Sequence, residues 1–466
     1  MHLPEKVEKI IEILTNAGFE AYAVGGCVRD FLLDRTPKDY DITTNALPKE
    51  VKRLFRRTVD TGIAHGTVTV LMGKESYEVT TYRIDGKYSD SRHPDSVTFS
   101  PSLEEDLVRR DFTINAMAYN PETGYVDLFK GREDLENKVI RAAGDPHKRF
   151  SEDALRILRA FRFSAELGFE IEPETLKAAG ELKENLKLIS AERIRDELFK
   201  LLTSPHPEKL ISLYEEGITS VILPEFDKCM ETEQNNPHHI YSVGVHSVES
   251  MRYINEETLN AFKDILETVD EDKKEQLKIL RLAMLFHDFG KPSTKTTDEE
   301  GIDHFHGHSR VSEKLSDKIL KRLKSDNHTR ELVNKLVRYH DFRPEIKASS
   351  VRKLANKTGE KAFSLLFPVR YADLLAQSDH QREEKIKKEE DLLSLYKEIL
   401  AKADCLTLKD LKVDGGELIR SAGMKPGREL GDMLNYLLNL VLEEPSWNER
   451  ETLLKAVREK LKNGTE

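Results

Sequence analysis

The sequence has no apolar run of the roughly 18 residues a membrane-spanning helix requires, so it offers no candidate span. Its first residues, MHLPEKVEKIIEIL, mix charge with apolar side chains at helical spacing and lack the apolar core of a secretion signal. The expectation is a cytoplasmic protein. Cysteine is scarce: Cys27, Cys229 and Cys405 lie far apart, without the paired spacing of a disulfide framework or a zinc site, which fits a reducing compartment. A global positive field is also missing. The net charge is −11 although 73 residues are Lys or Arg, so any contact with nucleic acid must come from local basic stripes.

What remains is 466 residues with 38% apolar content, enough for packed cores in two to four domains. Residues 1–17 read as a helix, and FEAYAVGG reads as a strand entering a glycine turn at Gly25-Gly26. Period-two runs at 66–72, 77–83 and 118–129, the last with a central turn, predict a small sheet. From about residue 138 strand signals stop and helical periodicity dominates. The fold class is therefore α+β, a small mixed-sheet head followed by mostly helical parts. Breaks near 204–208, 233–239 and 380–391 suggest domains at 1–137, 138–225, 226–380 and 381–466.

In GGCVRDFLLDRTPKDYDITT (25–44), Asp39 and Asp41 are two apart, so an extended strand would point both carboxylates to one face. Two such groups repel unless cations neutralise them. Mg²⁺, with its preference for oxygen ligands, is the usual answer where phosphates share the site. Gly25-Gly26 would let the backbone approach a triphosphate, and Arg29 would follow with matching charge. Gly-Gly alone is commonly just a turn, and Asp-x-Asp alone commonly an exposed loop; here they occur together.

These residues resemble the signature of class II tRNA nucleotidyltransferases and bacterial poly(A) polymerases of the polymerase β superfamily. LEEDLVRRDFTINAMAYN (103–120), VDLFKGREDL (126–135), RFSEDALRILRAFRFSAELGF (149–169) and SAERIRDEL (190–198) are similar to that family's further motifs, in its order. The resemblance implies that Asp39 and Asp41 are catalytic and bind Mg²⁺, and that Gly26, Arg29 and Arg110 contact triphosphate and sugar. Glu78 is a candidate third carboxylate. On an ideal helix Asp153, Arg156 and Arg159 share an arc of about 120°, opposite Ala154, Ile157, Leu158, Phe161 and Ala165. For an arbitrary helix this is a solvated face. The resemblance makes Asp153 and Arg156 a protein template for the Watson–Crick edge of the incoming base, with Arg159 and Arg162 as further nucleotide-binding arginines. Cytosine and adenine carry the exocyclic amine a carboxylate accepts from, and uracil lacks it. The segment 81–99, with Asp90 and Arg92, reads as a mobile surface loop; its presence in the family favours adenosine addition.

In the second half, His246, His287-Asp288 and Asp373 resemble the metal ligands of HD-domain phosphohydrolases, suited to Mn, Ni, Co, Fe or Mg. His304, His306, His308 and His340 add possible ligands or substrate contacts. The segment 415–448 resembles the tail of tRNA nucleotidyltransferases carrying that domain, with Lys425 and Arg428 as candidate phosphate contacts. The implied function is addition of C, C and A to a tRNA 3′ end from CTP and ATP. The rivals are an A-adding enzyme, a poly(A) polymerase, a hydrolase of RNA ends, and a noncatalytic RNA-binding protein. The mixed-charge end KAVREKLKNGTE weakens the poly(A) reading, since those polymerases tend to carry a long basic extension.

Overall fold

A computed structural model describes residues 1–85 and 97–463, so Asp90 and Arg92 of the expected loop lie outside the described residues. The chain divides into two compact units, Met1–Pro224 and Glu225–Glu466.

The first unit opens with the helix Glu5–Asn16, which buries Val7, Ile10, Ile11 and Leu14, a one-sided apolar stripe. Its centre is a sheet. The strands in chain order are β1 (Ala21–Val24), β2 (Asp41–Thr44), β3 (Thr58–Gly62), β4 (Thr67–Met72), β5 (Glu75–Thr81), a separate pair β6 (Arg83–Asp85) and β7 (Val97–Phe99), then β8 (Met117–Asn120) and β9 (Gly124–Asp127). Seven of these form one sheet in the order β3-β4-β5-β2-β1-β8-β9. The β2–β5 pair is parallel and the others are antiparallel. Alternation sets the faces: in β5, Tyr77, Val79 and Thr81 are buried while Ser76 and Glu78 are exposed. The parallel register places Asp41 opposite Glu78.

Two expectations change here. β2 begins at Asp41, so Asp39 lies in the connection before it rather than on the strand. The helical half is not free of strands: β10 (Val139–Ile140) pairs with β11 (Glu170–Ile171), and β12 (Thr296–Thr297) with β13 (Asp303–His304). These are two-residue bridges too short to leave a periodic signal. Beyond β10 the helix Leu155–Leu167 packs on Ala191–Leu202, burying Ile157, Leu158, Phe161 and Ala165.

In the second unit, the helices Val243–Arg252, Lys273–Phe286, Asn327–Tyr339 and Glu360–Ala376 pack on one another. Every residue from Ile279 to Lys291 is buried, so the helix end delivers His287 and Asp288 inside the core. The charged run 380–391, read as lying near an interdomain break, enters the helix Arg382–Ala401 from residue 382, and that helix packs on Glu360–Ala376. Its charges form a solvated face, while Glu389, Leu392, Tyr396 and Ile399 turn inward. None of the described helices is long and apolar enough to cross a membrane.

Candidate active site and candidate metal centre

In the first unit the chain leaves β1 through Gly25, whose φ of 79° lies in the left-handed region that favours glycine. A Cβ there would stand 3.1 Å from a terminal guanidinium nitrogen of Arg110 and 3.7 Å from the Asn115 carbonyl oxygen. Gly26 has no such strain and opens the short helix Gly26–Leu32. Arg29 on that helix donates to Asn115 Oδ1 at 2.8 Å and pairs with Asp30 at 2.7 Å.

Asp39, Asp41 and Glu78 influence one another. Loss of hydration pushes Asp41 above its ordinary range, Arg110 pulls it back, and Asp39 pushes it up again. Glu78 is raised by desolvation, then by Asp41 and Asp39. All three keep solvent-exposed surface, so a cation arriving from solution can reach them. Asp39, Asp41 and Glu78 are oxygen donors of the kind hard divalent ions take, and Arg110 is the cation acting on Asp41. Buried Asp106 fixes Arg110 from behind. It accepts from Arg109 at 2.7 Å, Arg110 at 3.2 Å and Thr43 at 3.0 Å. Burial works against its charge, yet the two arginines hold it below its ordinary value. Nε of Arg110 is buried without a hydrogen-bond partner.

The expected base-reading helix is broken. The helix Pro146–Glu152 stops at Asp153, which has extended backbone (φ −141°, ψ 103°), and a new helix runs Leu155–Leu167. Asp153 therefore does not share a helix face with Arg156 and Arg159. It sits at the junction, where Oδ1 accepts from the Leu155 N–H at 3.0 Å and Oδ2 from Arg193 at 2.7 Å. Arg156 donates to Glu152 at 2.8 Å and to the Arg109 carbonyl at 2.9 Å, which ties the helix start to the 103–120 motif. Arg159 pairs with Asp111 at 2.5 Å. Burial opposes the Asp111 charge, but Arg159, Asn115 and Arg156 outweigh it and hold that carboxyl down at about 2. Arg162 does not lie open beside Arg159: it is buried and bonded to Glu197 at 2.5 Å and Glu166 at 2.9 Å. The guanidiniums of Arg29, Arg159 and Arg162 lie 5.0, 5.3 and 3.9 Å from the centre of the Phe163 ring.

Sequence reasoning missed Asp106, Asp111, Asn115, Phe163 and Arg193 as supports. The first three stand in the 103–120 motif, and their residue types, two acids and an amide among arginines, were the available signal.

In the second unit, His246, His287, Asp288 and Asp373 come together out of three separate segments. His246 Nε2 lies 3.0 Å from Asp373 Oδ1, 3.3 Å from His287 Nε2 and 3.7 Å from Asp288 Oδ2. All four residues are buried. Of the additional histidines, His308 and His340 join Asp288 from its other side, whereas His304 pairs with Asp298 and stacks on His306. Burial would neutralise Asp288, but His287 and Lys291 keep it well below its ordinary range. Burial also resists charge on His287, and Asp288 and Asp373 lift it to about 10. The cluster opens on a cavity of about 490 Å³ lined also by His239, Lys291, His304 and His306. Cys27, Cys229 and Cys405 are buried and unpaired.

Comparison with known proteins adds the following. Residues 21–141 match the "Poly A polymerase head domain" family, 168–230 the "Probable RNA and SrmB- binding site of polymerase A", and 294–457 the second domain of tRNA nucleotidyltransferases. The CCA-adding enzyme of Pediococcus pentosaceus is 34% identical over 97% of this chain and 97% of its own length. That of Lactobacillus helveticus is 52% identical over 51% of this chain, an overlap that spans 59% of the relative. The crystal structure of the Bacillus stearothermophilus CCA-adding enzyme in complex with CTP superposes with a TM-score of 0.72 at 28% identity, covering 99% of this chain and 100% of that one. The Thermotoga maritima CCA-adding enzyme complexed with tRNA shares the fold, with a TM-score of 0.59 at 21% identity over 98% of this chain and 96% of that one.

Proposed function

The chain belongs to the family of CCA-adding enzymes, and from that premise we propose that it adds C, C and A to the tRNA 3′ end from CTP and ATP without a nucleic-acid template. The observation that supports this reading is the grouping of Asp41, Glu78 and Arg110 beside the Gly25 turn, with Asp39 acting on both acids. Asp39 and Asp41 would hold Mg²⁺, which when bound would acidify the attacking 3′-hydroxyl and neutralise the departing pyrophosphate. Glu78 supplies a third oxygen donor. Gly25 keeps side-chain bulk out of the hollow, and Arg29 and Arg110 meet the triphosphate. Asp153, oriented by Arg193, accepts from the exocyclic amine of cytosine or adenine. Arg156 keeps part of its five N–H donors for the base edge, because its observed bonds do not use them all. Arg159 is held at the rim by Asp111. Arg162 acts by shaping this wall.

Three transcripts, ending at the discriminator base, at C and at CC, test the reading when each is incubated with Mg²⁺ and CTP, ATP or both. Two C additions, one A and then arrest are expected. Addition of A to the CC transcript alone would make it an A-adding enzyme, long A ladders a poly(A) polymerase, and no extension would overturn the transferase reading.

A second reading is supported by the buried meeting of His246, His287, Asp288 and Asp373. These residues would hold one divalent transition metal, since mixed imidazole and carboxylate donors suit such ions. When bound, that ion would supply Lewis acidity for hydrolysis at the adjoining cavity.

A further inference from the structure

The face of the seven-stranded sheet that carries the carboxylates does not end at them. Register leads from Asp41 to Glu78 on β5, from Glu78 to Thr69 on β4, and from Thr69 to Val59 on β3, so these four side chains form one row on one face. In the next row of that face Ser76 stands opposite Leu71, and the Leu71 N–H donates to the Arg57 carbonyl at 3.0 Å, which carries the ladder past Thr58. By alternation Arg57 falls on the same face as Val59. Thr61 joins them through its hydroxyl, 2.7 Å from that of Thr69. Val59 is 46% exposed, and Thr61, Ser76 and Glu78 are exposed with it, while Val68, Val70 and Val79 on the opposite face are fully buried. These strands therefore have core on one side only.

Charge changes sign along the open side. Asp41 and Glu78 make its inner end acidic, whereas β3, the outermost strand, follows the segment KEVKRLFRR (49–57), which holds five cations and one acid. Arg56 and Arg57 are exposed and pair with no described residue. Glu75 and Asp60, on the adjoining strands, are already matched by Lys6 at 2.8 Å and by Lys52 at 2.9 Å. The surplus at this edge is positive. Arg56 and Arg57 also line a hollow of about 280 Å³, together with Phe55, Leu71 and Met72. Two strand spacings and two residues separate Glu78 from Arg57, about 12 Å, or roughly three to four stacked nucleotides at about 3.4 Å each.

We propose that this face is the track for the single-stranded 3′ end of the RNA being extended. The terminal hydroxyl lies at Asp41 and Glu78, the preceding sugars cross Val59, Thr61 and Ser76, and Arg56 and Arg57 hold the phosphates of the third and fourth linkages. The inference rests on nucleotide addition at Asp39 and Asp41, and it names the surface that presents the acceptor. Continuity with the carboxylates and the change of sign choose the occupant: its reacting end must meet the cation-binding acids while its polyanionic backbone needs unpaired arginines.

The test uses full-length protein, ATP, and an RNA minihelix ending in CC whose last four linkages are made uncharged methylphosphonates one at a time. In the parent, neutralising the third or fourth linkage should raise KM for RNA by about five- to tenfold. Arg56→Gln/Arg57→Gln should raise KM for the unmodified RNA by a similar factor and move KM for ATP by less than about twofold. Its log affinity for RNA should fall less steeply with log salt, the slope shrinking by about 1.4, or about 0.7 for each lost single-strand contact. In that variant the uncharged linkages should add no further loss, because their partners are gone. Val59→Asp, an acid at an exposed position of the track, should also raise KM for RNA. If the parent extends RNA and both variants keep its KM, the track is overturned and nucleotide addition stands. Losses from linkage and variant that simply multiply would place the phosphates elsewhere and overturn it as well. A parent that is dimeric by light scattering and a Val59→Asp variant that is monomeric would give the face to a second copy of the chain instead. No extension by the parent would overturn nucleotide addition, and the track with it.

Discussion

Asp41 and Asp288 are carboxylates at the two candidate metal sites, and their surroundings differ in every respect that matters electrostatically. Asp41 is exposed, stands across a parallel register from Glu78, and is held above its ordinary range. Asp288 is 1% exposed, is surrounded by His287, His308, His340 and Lys291, and is held well below it. The first site is left short of positive charge in the protein alone, which suits a cation that arrives and leaves with a triphosphate. The second is buried at the wall of a cavity, and its carboxylate is balanced by His287 and Lys291 in the metal-free protein.

The largest expected effect comes from exchanging the same pair of atoms at both places. Asp41→Asn should lower nucleotide incorporation by about a thousandfold or more, because no charge remains to hold the ion at the attacking oxygen. Its melting temperature should stay level or rise. A carboxyl whose folded pKa is raised costs stability once ionised, and the amide removes that cost at neutral pH. Asp288→Asn in metal-free protein should do the reverse. Incorporation should hold, while stability falls by about 3 kcal/mol as Lys291 and the imidazoles lose their buried partner. Incorporation assays and thermal melts of both variants decide this. A destabilised Asp41→Asn protein that kept its activity would collapse the contrast.

The same contrast marks what could be read from the sequence. Asp39, Asp41, Arg110 and the His287-Asp288 pair could be proposed from the sequence because they stand in short motifs whose spacing does not depend on the rest of the chain. The sheet was legible from period-two runs, and β5 carries one that brings Glu78 to Asp41. The break at Asp153 was not. LRILRAFRFSAEL continues the apolar period, while the Asp153 carboxylate is taken up outside the helix by the Leu155 N–H and by Arg193, 40 positions away. His308 and His340 could be named only together with His304 and His306 as possible ligands: His308 opens the helix His308–Arg322 and His340 ends Asn327–Tyr339, while His304 pairs with Asp298 and stacks on His306, and nothing local separates the two pairs. Arg162 follows Arg159 at helical spacing, yet the ion pairs with Glu197 and Glu166 bury it.

A smaller effect should come from Asp111, which resembles Asp288 in being a buried, depressed carboxylate but belongs to the first unit. Its folded pKa is about 2 against an ordinary 3.8. The stability it contributes is therefore nearly complete above pH 4 and is lost as pH falls from there through 2. That amounts to about 2 kcal/mol at neutral pH. Asp111→Asn should lose this amount at pH 7, seen in urea melts, and the gap from the parent should shrink to about a third when the melts are repeated near pH 2.5. A gap that stayed constant over that range would mean the residue contributes by packing and not by charge.

The smallest expected effect separates positioning from packing around Phe163. Arg29 and Arg159, both proposed to face the nucleotide, and Arg162, which is buried, approach one phenyl ring. Cation–π attraction of about 0.5–1 kcal/mol per partner would hold the two outer arginines in place before substrate arrives. Phe163→Leu keeps an apolar side chain and removes the ring's quadrupole. If the ring only fills space, the variant loses some melting temperature and leaves steady-state constants alone. If it positions the arginines, KM for CTP rises by about three- to tenfold with kcat nearly unchanged, as expected when uniform ground-state and transition-state binding is lost. Phe163→Tyr, which retains the aromatic face, should then restore KM. That rescue distinguishes the two roles, because a packing defect would be no better repaired by tyrosine, whose added hydroxyl must also be placed in a site where Phe163 is only 4% exposed.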